Sequence, residues 1–394
     1  MPRKGFYGGL ILFSALLLIL SGGPASAATY VVSPDYDDKF IQATINRASE
    51  GDRIIVKSGN YRENLNVTKK LSLIGLDSGG GKPVIDGGGF GSAVVISADE
   101  VLFEGFAVTN SGKLWKDAGI KAISKENTIR NNMVTGNEYG IVLDGAARNS
   151  VLKNFVCKND VGISLYSSER CTIVENEACN NTFGGILLSR ANNNTIRNNN
   201  ASQNRWAGII LGECSDNTVS NNVVRQNDNQ GIWLLRSSAN TIRGNRVRFN
   251  YIFGVRLLYS SRNAITSNTI RNNLDGVSLE SSNGNVLAGN NLSINEYGVY
   301  VDNSFNNRIY MNNLIGNNND AHSWNSTNYW NSTELLKYIY NGVQYRRYVG
   351  NYWSGYFGPD PFGDGLVDRP HAVSGRERDY NPLKKPSENY TLRG

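Results

Sequence analysis

A glycine recurs along this chain every 22 or 23 residues, at Gly140, Gly162, Gly185, Gly208, Gly231, Gly254, Gly276 and Gly298. Each is followed by an apolar-x-apolar triplet, from Ile141-Val142-Leu143 to Val299-Tyr300-Val301. Three asparagine columns keep the same step. One runs from Asn132 to Asn312. A second lies five residues later, from Asn137 to Asn317, and a third five residues earlier, from Asn127 to Asn307, broken only by Cys171. A repeat this regular overrides the prior of two or three domains that 394 residues would otherwise set. Each repeat is too short to bury a core alone, so neighbours must stack.

The spacing inside the repeat is that of short strands. Alternate residues of a strand face one side, and Ile129, Val151, Ile173, Ile196, Val219, Ile242, Ile265, Leu287 and Ile309 form one inward column. Val134, Val156, Ala178, Ala201, Val224, Val247, Ile270, Leu292 and Leu314 form another, and the glycine strand supplies two more, beginning at Ile141 and Leu143. This predicts an all-β chain, a right-handed parallel β-helix of the pectin-lyase-like kind. Asparagine is expected at the corners because it tolerates left-handed backbone, and stacked carboxamides can bond along a ladder. A leucine-rich repeat has a similar period but normally one asparagine per repeat and often a helical return segment. Three columns and no helical periodicity set that reading aside.

Upstream, less regular rungs run through Leu71-Ser72-Leu73, Val84-Ile85-Asp86, Val94-Val95-Ile96 and Val101-Leu102-Phe103. Residues 28–70 are read as an N-terminal cap with the first rungs, Phe40 to Ala48 being an amphipathic helix that plugs the open end. The repeats proper span 71–317, and residues 318–394, rich in aromatics, form a C-terminal cap. About a dozen rungs at ~4.8 Å each predict a solenoid roughly 55–60 Å long.

Residues 1–27 are read as a secretory signal peptide: Arg3 and Lys4, an apolar stretch from Leu10 to Leu20, and Ala25-Ser26-Ala27 before the cut. Its loss removes two positive charges and no acids, which takes the formal net charge from +6 to +4. That mild balance does not point to nucleic acid, and no later stretch is apolar enough for a membrane span. Four cysteines are too few for a disulfide framework. Cys157 and Cys179 occupy equivalent positions on adjacent rungs, within bridging distance but with parallel Cβ vectors, which predicts a labile bridge or two free thiols.

The chain resembles the NosD-like family of exported β-helix proteins. The likeness is carried by Ile41-Gln42 through Gly51-Asp52-Arg53-Ile54-Ile55-Val56 to Gly59-Asn60-Tyr61-Arg62-Glu63-Asn64, by the asparagine rungs, and by the tail. In the tail the matching residues are Gly350-Asn351-Tyr352-Trp353-Ser354-Gly355-Tyr356, Gly363-Asp364-Gly365-Leu366-Val367-Asp368 and Asp379-Tyr380-Asn381-Pro382-Leu383, similar to secreted archaeal members. The resemblance implies a carbohydrate-binding and sugar-hydrolase type of module in a family named from a copper-related periplasmic protein.

Five groups of residues bear on chemistry. Copper wants imidazole, thiolate or thioether, yet there are two histidines, His322 and His371, neither in the repeat, and three methionines. On the outward face of the glycine strands, Glu280 and Asp302 are equivalent residues of adjacent rungs, with Arg256 and Tyr300 on the same face. Paired carboxylates suit glycosidic cleavage, or Ca²⁺ beside a uronate with Arg256 assisting; ordinary solvated residues on a sheet face are the plainer reading, since no third carboxylate joins them. The same face carries Leu187, Ile210, Trp233, Leu235 and Leu258, either a stacking platform for sugar rings or a patch covered by the tail. Arg225, Arg248 and Arg271 share one outward position on three consecutive rungs, with Arg243 and Arg246 close by; stacked like charges repel, which hints at an acidic glycan. Last, Asp360, Asp364 and Asp368 with the Leu366 carbonyl are spaced for Ca²⁺ around Gly365, although Phe362 and His371 stand where further acids are usual. The expectation is an exported β-helix that binds carbohydrate or cell-envelope polysaccharide without catalysis. The alternatives are a polysaccharide lyase or glycosidase and, third, a copper-related accessory protein.

Overall fold

The computed structural model describes residues 27–35 and 39–393; the expected signal peptide lies outside them, apart from its last residue. Three stacks of short parallel strands wrap one core. The first is a 14-stranded sheet from Thr29–Val32 to Thr327–Tyr329. The glycine sheet has 12 strands, from Leu65–Val67 to Asn319–Trp324. The remaining side is a five-stranded sheet and a six-stranded sheet. Between those two the ladder thins to single pairs, Phe155 with Glu177, Glu177 with Asn200 and Asn200 with Val223. Neighbouring rungs pair like with like, as in Ile242 with Ile265, Val247 with Ile270 and Leu234 with Leu257. All four inward columns are fully buried, so each aliphatic side chain packs on its counterpart above and below.

The asparagine columns are continuous hydrogen-bond ladders. The Oδ1 of Asn245 accepts from the backbone N–H and the Nδ2 of Asn222, at 2.9 and 3.0 Å, while its own Nδ2 donates to the Val219 carbonyl at 2.9 Å. The same triple bonding repeats at Asn154, Asn199 and Asn290. Every polar atom so buried finds a partner. The reason given for asparagine needs correction, however. The left-handed position is the residue before each ladder asparagine, held by Lys153, Glu175, Asn198, Phe249 and Ile294 among others, at φ between 54° and 58°. The ladder residue is asparagine for its carboxamide, not for its backbone. A shorter ladder of hydroxyls lies alongside: Ser282 Oγ accepts from the Ser260 N–H, and Ser304 Oγ from the Ser282 N–H, at 2.9 Å each.

The glycine column has a steric cause. A Cβ on Gly231 would lie 2.5 Å from the Gly254 carbonyl oxygen and 2.6 Å from Val247 Cγ1. Where the second side thins, a disulfide joins Cys157 and Cys179, whose Cα atoms are 4.7 Å apart. Cys171 and Cys214 are buried, and burial pushes both thiols up to about 11.

Both ends are closed. Helix α1, Ile41–Arg47, buries Ile41, Thr44 and Ile45, and the Glu63 carboxylate accepts from the Ile41 and Gln42 N–H groups at 2.9 and 3.0 Å. At the other end the coil does not stop at Asn317. Strand Asn319–Trp324 pairs with Tyr297–Asp302, and Tyr352–Trp353 stacks on Asn313 and Leu314. The main asparagine ladder ends on Asn351, whose Oδ1 accepts from Asn312 Nδ2 at 2.9 Å across a 38-residue excursion of the chain. Trp330 and Trp353 plug the core with ring centroids 5.9 Å apart. Behind them Asp379, fully buried, accepts from the Asn351 N–H, Trp353 Nε1 and the Asn381 N–H. Gly350 makes room for it, since a Cβ there would fall 1.8 Å from Oδ1. The quoted tail motif is thus the seal of the coil.

Three outcomes follow from this packing. Val247→Asp should destabilise by roughly 3–5 kcal/mol, read as a lower melting temperature, because the charge enters a column with no polar partner. Ile294→Asn should stabilise by about 1 kcal/mol in denaturant unfolding, since a β-branched residue at φ 55°, itself mostly exposed, loses little burial and sheds left-handed strain. Burial raises the Asp379 carboxyl to about 7 against the lowering pull of its N–H donors. Its folded value exceeds its unfolded one, so its contribution is fully present below about pH 4 and is lost as pH rises through 7. Amide exchange in the cap should speed up across that window, and Asp379→Asn should flatten the dependence.

Candidate functional site

On each glycine strand the residue before the glycine and the third and fifth residues after that one face outward. In strand Asp275–Glu280, Val277 and Leu279 enter the core while Ser278 and Glu280 turn away from it. Gly276 takes the corner, where a Cβ would meet the Gly298 carbonyl at 2.5 Å. Asp275, on its far side, lies within electrostatic reach of Glu280 and Arg256. Register then stacks Asp275 on Tyr297, Ser278 on Tyr300 and Glu280 on Asp302, with Arg256 one rung before and His322 one rung after.

Glu280 and Asp302 are therefore neighbours, as their spacing predicts, but they differ in state. Arg256 grips Glu280 through Nε and Nη2, at 2.8 Å to each carboxylate oxygen, and Ser278 Oγ donates to Oε1 at 3.1 Å. Among the described residues Asp302 Oδ1 accepts only from Asn303 Nδ2, at 2.9 Å. A third carboxylate does join the pair, contrary to expectation. Asp275 is 7% exposed, and among the described residues no hydrogen bond reaches its carboxylate. Burial and the nearby Glu280 charge raise it to about 6, and Arg256 pulls the other way. His322 also proves to belong to the repeat, stacked on Tyr300 at a centroid distance of 5.2 Å and 19° between planes. Tyr297 meets both rings edge-on, at 5.7 and 5.9 Å. Burial, then Asp302, Asp275 and Glu280, raise the Tyr300 hydroxyl. One more step of the repeat, from Tyr300 by 22 residues, would have found His322.

Upstream on this face the outward apolar residues pack on one another. Ile210 is buried, and Leu187, Trp233, Leu235 and Leu258 are half-buried. The tail does not supply the cover: it bonds to the coil at Asn312, Asn313, Ser323 and Asn328, up to three rungs beyond Leu258. Trp233 is half-buried among them, and its buried Nε1 and the buried Oε1 of Gln230 on the same rung have no partner among the described residues.

Around the Asn273 corner lies the arginine column. Arg225, Arg248 and Arg271 stand in register and half-exposed. A cavity of about 390 Å³ is lined by Arg246, Val247, Arg248, Thr269 and Arg271. Other arginines pair with acids of an adjacent rung, Arg130 with Glu104, Arg148 with Glu126 and Arg190 with Glu213. Among the described residues no carboxylate pairs with Arg225, Arg248 or Arg271.

The tail loop is held by its own bonds. Asp360 accepts from the Asp364 and Gly365 N–H groups, and Asp364 accepts from the Leu366 N–H and, at 3.2 Å, from Arg347 Nε. Burial, Asp364 and Asp360 raise the Asp368 carboxyl. A cation drawing on Asp360, Asp364, the Leu366 carbonyl and Asp368 would share the Asp364 carboxylate with Arg347.

Among solved structures the chain is similar to the A-module of mannuronan C-5 epimerase AlgE6 from Azotobacter vinelandii, at 18% identity and a TM-score of 0.57, over 73% of this chain and 92% of that one. DFA-IIIase from Arthrobacter chlorophenolicus A6 matches at 14% and 0.54, over 74% and 95%. The Dettilon tailspike protein matches at 16% and 0.53, over 75% and 67%. These likenesses are of fold. No curated protein matches in sequence. Residues 91–222 and 200–358 match the family described as "Periplasmic copper-binding protein (NosD)". The donors present do not fit copper. His322 stacks on Tyr300 and His371 packs against Trp353 at 4.3 Å, far along the chain from the buried Cys171 and Cys214 thiols. Among the described residues one group gathers three ligand atoms, Cys157, Glu177 and Cys179, and its sulfurs are joined to each other. Nor is any described helix long and apolar enough to cross a membrane. Matched over more than half its length, this parallel β-helix belongs to the NosD family.

Proposed function

We propose that this protein is an exported β-helix that binds acidic polysaccharide along the arginine column. The observation that carries the reading is Arg225, Arg248 and Arg271, stacked in register with no acid among the described residues to neutralise them. Three like charges one rung apart gain nothing from one another. Their spacing, that of neighbouring parallel strands at about 4.8 Å, is comparable with one residue of an extended sugar chain. A linear polyanion laid along the solenoid axis meets one guanidinium per rung, and the fork geometry of arginine suits carboxylate or sulfate. The carbohydrate chemistry named for the epimerase of similar fold agrees with this reading. The partly buried aromatic and aliphatic residues round the corner, Trp233 and Tyr300 included, offer apolar surface to sugar rings on the same side of the rung.

Affinity electrophoresis of the mature protein in gels containing polyuronate or sulfated glycan checks this. At low salt the wild type should be retarded, and retardation should fade as salt shortens the reach of the charges. Replacement of Arg225, Arg248 and Arg271 together by Glu should abolish it at an unchanged melting temperature. A wild type that migrates past every acidic polymer at low salt would sink the proposal.

A further inference from the structure

Beyond binding, the geometry points to a proton-transfer centre on the glycine sheet, made of Asp275, Tyr300, His322 and Arg256, that acts on the C5–H of a uronic acid residue. The inference rests on the reading that the ligand is an acidic polysaccharide, and its site lies four residues past Arg271, around the Asn273 corner.

Each group has a different fitness for the task. Asp275 is nine-tenths buried and, among the described residues, no hydrogen bond satisfies its carboxylate. A desolvated, unpaired carboxylate is a stronger base than a solvated one. Neighbouring carboxylates, whose stability would improve with a bonded partner, are gripped or bonded: Glu280 by Arg256 and Ser278, Asp302 by Asn303. Packing alone gives no reason to keep an unbonded acid at this depth between Phe253 and Tyr297. Arg256 is fixed by Glu280 through Nε and Nη2, which leaves the Nη1 donors to hold a substrate carboxylate. Burial and then the charges of Asp302, Asp275 and Glu280 keep the proton on the Tyr300 hydroxyl, which suits a donor. His322 stacks on the Tyr300 ring and sets its plane, a positioning role.

The step balances without a cofactor. Asp275 takes the C5 proton, made acidic by the adjacent carboxylate that Arg256 holds. The C5–H electron pair becomes the C4–C5 double bond, the C4–O bond breaks, and the departing oxygen takes a proton from Tyr300. The Asp275 proton then returns to Tyr300 through solvent. Return of a proton to the opposite face of C5, before the C4–O bond breaks, gives the epimer instead.

The test incubates the mature protein in D₂O with polymannuronate, polyguluronate, polygalacturonate and polyglucuronate separately. Two signals are read: ultraviolet absorbance of the unsaturated end, and deuterium at C5 by NMR. Binding to each polymer is measured in parallel. At least one polymer should give one of the signals. Asp275→Asn and Tyr300→Phe, which keep the shape of each side chain and the Tyr300 ring, should each lower its rate on the order of 10²-fold without lowering retardation in the gel or the melting temperature. His322→Gln should lower the rate less and shift its pH profile. A polymer that is bound but yields neither signal overturns the proton-transfer centre and leaves the binding proposal standing. Failure to bind any polymer overturns both. Signals undiminished in both variants assign the chemistry to other residues and overturn the inference.

Discussion

Everything in this molecule depends on a carboxamide that bonds to the next rung. One asparagine side chain accepts from two N–H groups of its counterpart and donates to a carbonyl a rung away, and it does so inside the protein, where an unpaired amide would be costly. The bonds run along the solenoid axis, parallel to those of the strands, so corners contribute to stacking as fully as sheets do. Because each acceptor serves the rung before it, register is specified at the corners. A slip of one residue would break several ladders at once and turn the aliphatic columns outward.

That dependence explains what could be read in advance. A ladder needs the same residue at the same place on every rung, so the glycine, asparagine and aliphatic columns were visible as a period, and with them the strands and the inward faces. What the period did not reveal was backbone conformation. Some left-handed positions are filled by asparagine or glycine, as at Asn198 and Gly244, which favour that backbone, but others by Lys153, Glu175, Phe249 and Ile294, which do not announce it. It also did not mark its own end. Strand Asn319–Trp324 obeys the register without the glycine, and Asn351 resumes a ladder after a long excursion, so the last turn looked like tail.

The outward face was legible in part for the same reason. Columns of equivalent residues placed Glu280 beside Asp302, and Arg225, Arg248 and Arg271 in a row, because register is a property of the sequence. Ion pairing is not, and the grip of Arg256 on Glu280 turns one of two matching carboxylates into a structural partner. Asp275 was passed over because it precedes the glycine, outside the alternation that sorts a strand into two faces. His322 was passed over with the turn that carries it. In the tail loop Arg347 reaches Asp364 from strand Val343–Arg347, an approach that nothing in the local spacing of Asp360, Asp364 and Asp368 announces.

The seal formed by Asn351, Trp353 and Asp379 sets an order on assembly. Rungs can stack as the chain emerges, each on the one before, with helix α1 already over the first. The growing end, though, presents unpaired strand edges and a column of unanswered carboxamides until Asp379 is in place behind Trp353. A protein delivered across a membrane from its N-terminus would spend the whole of its passage as a template open to other strands. Asp379, docking behind Asn351 and Trp353, is what converts that template into a closed end.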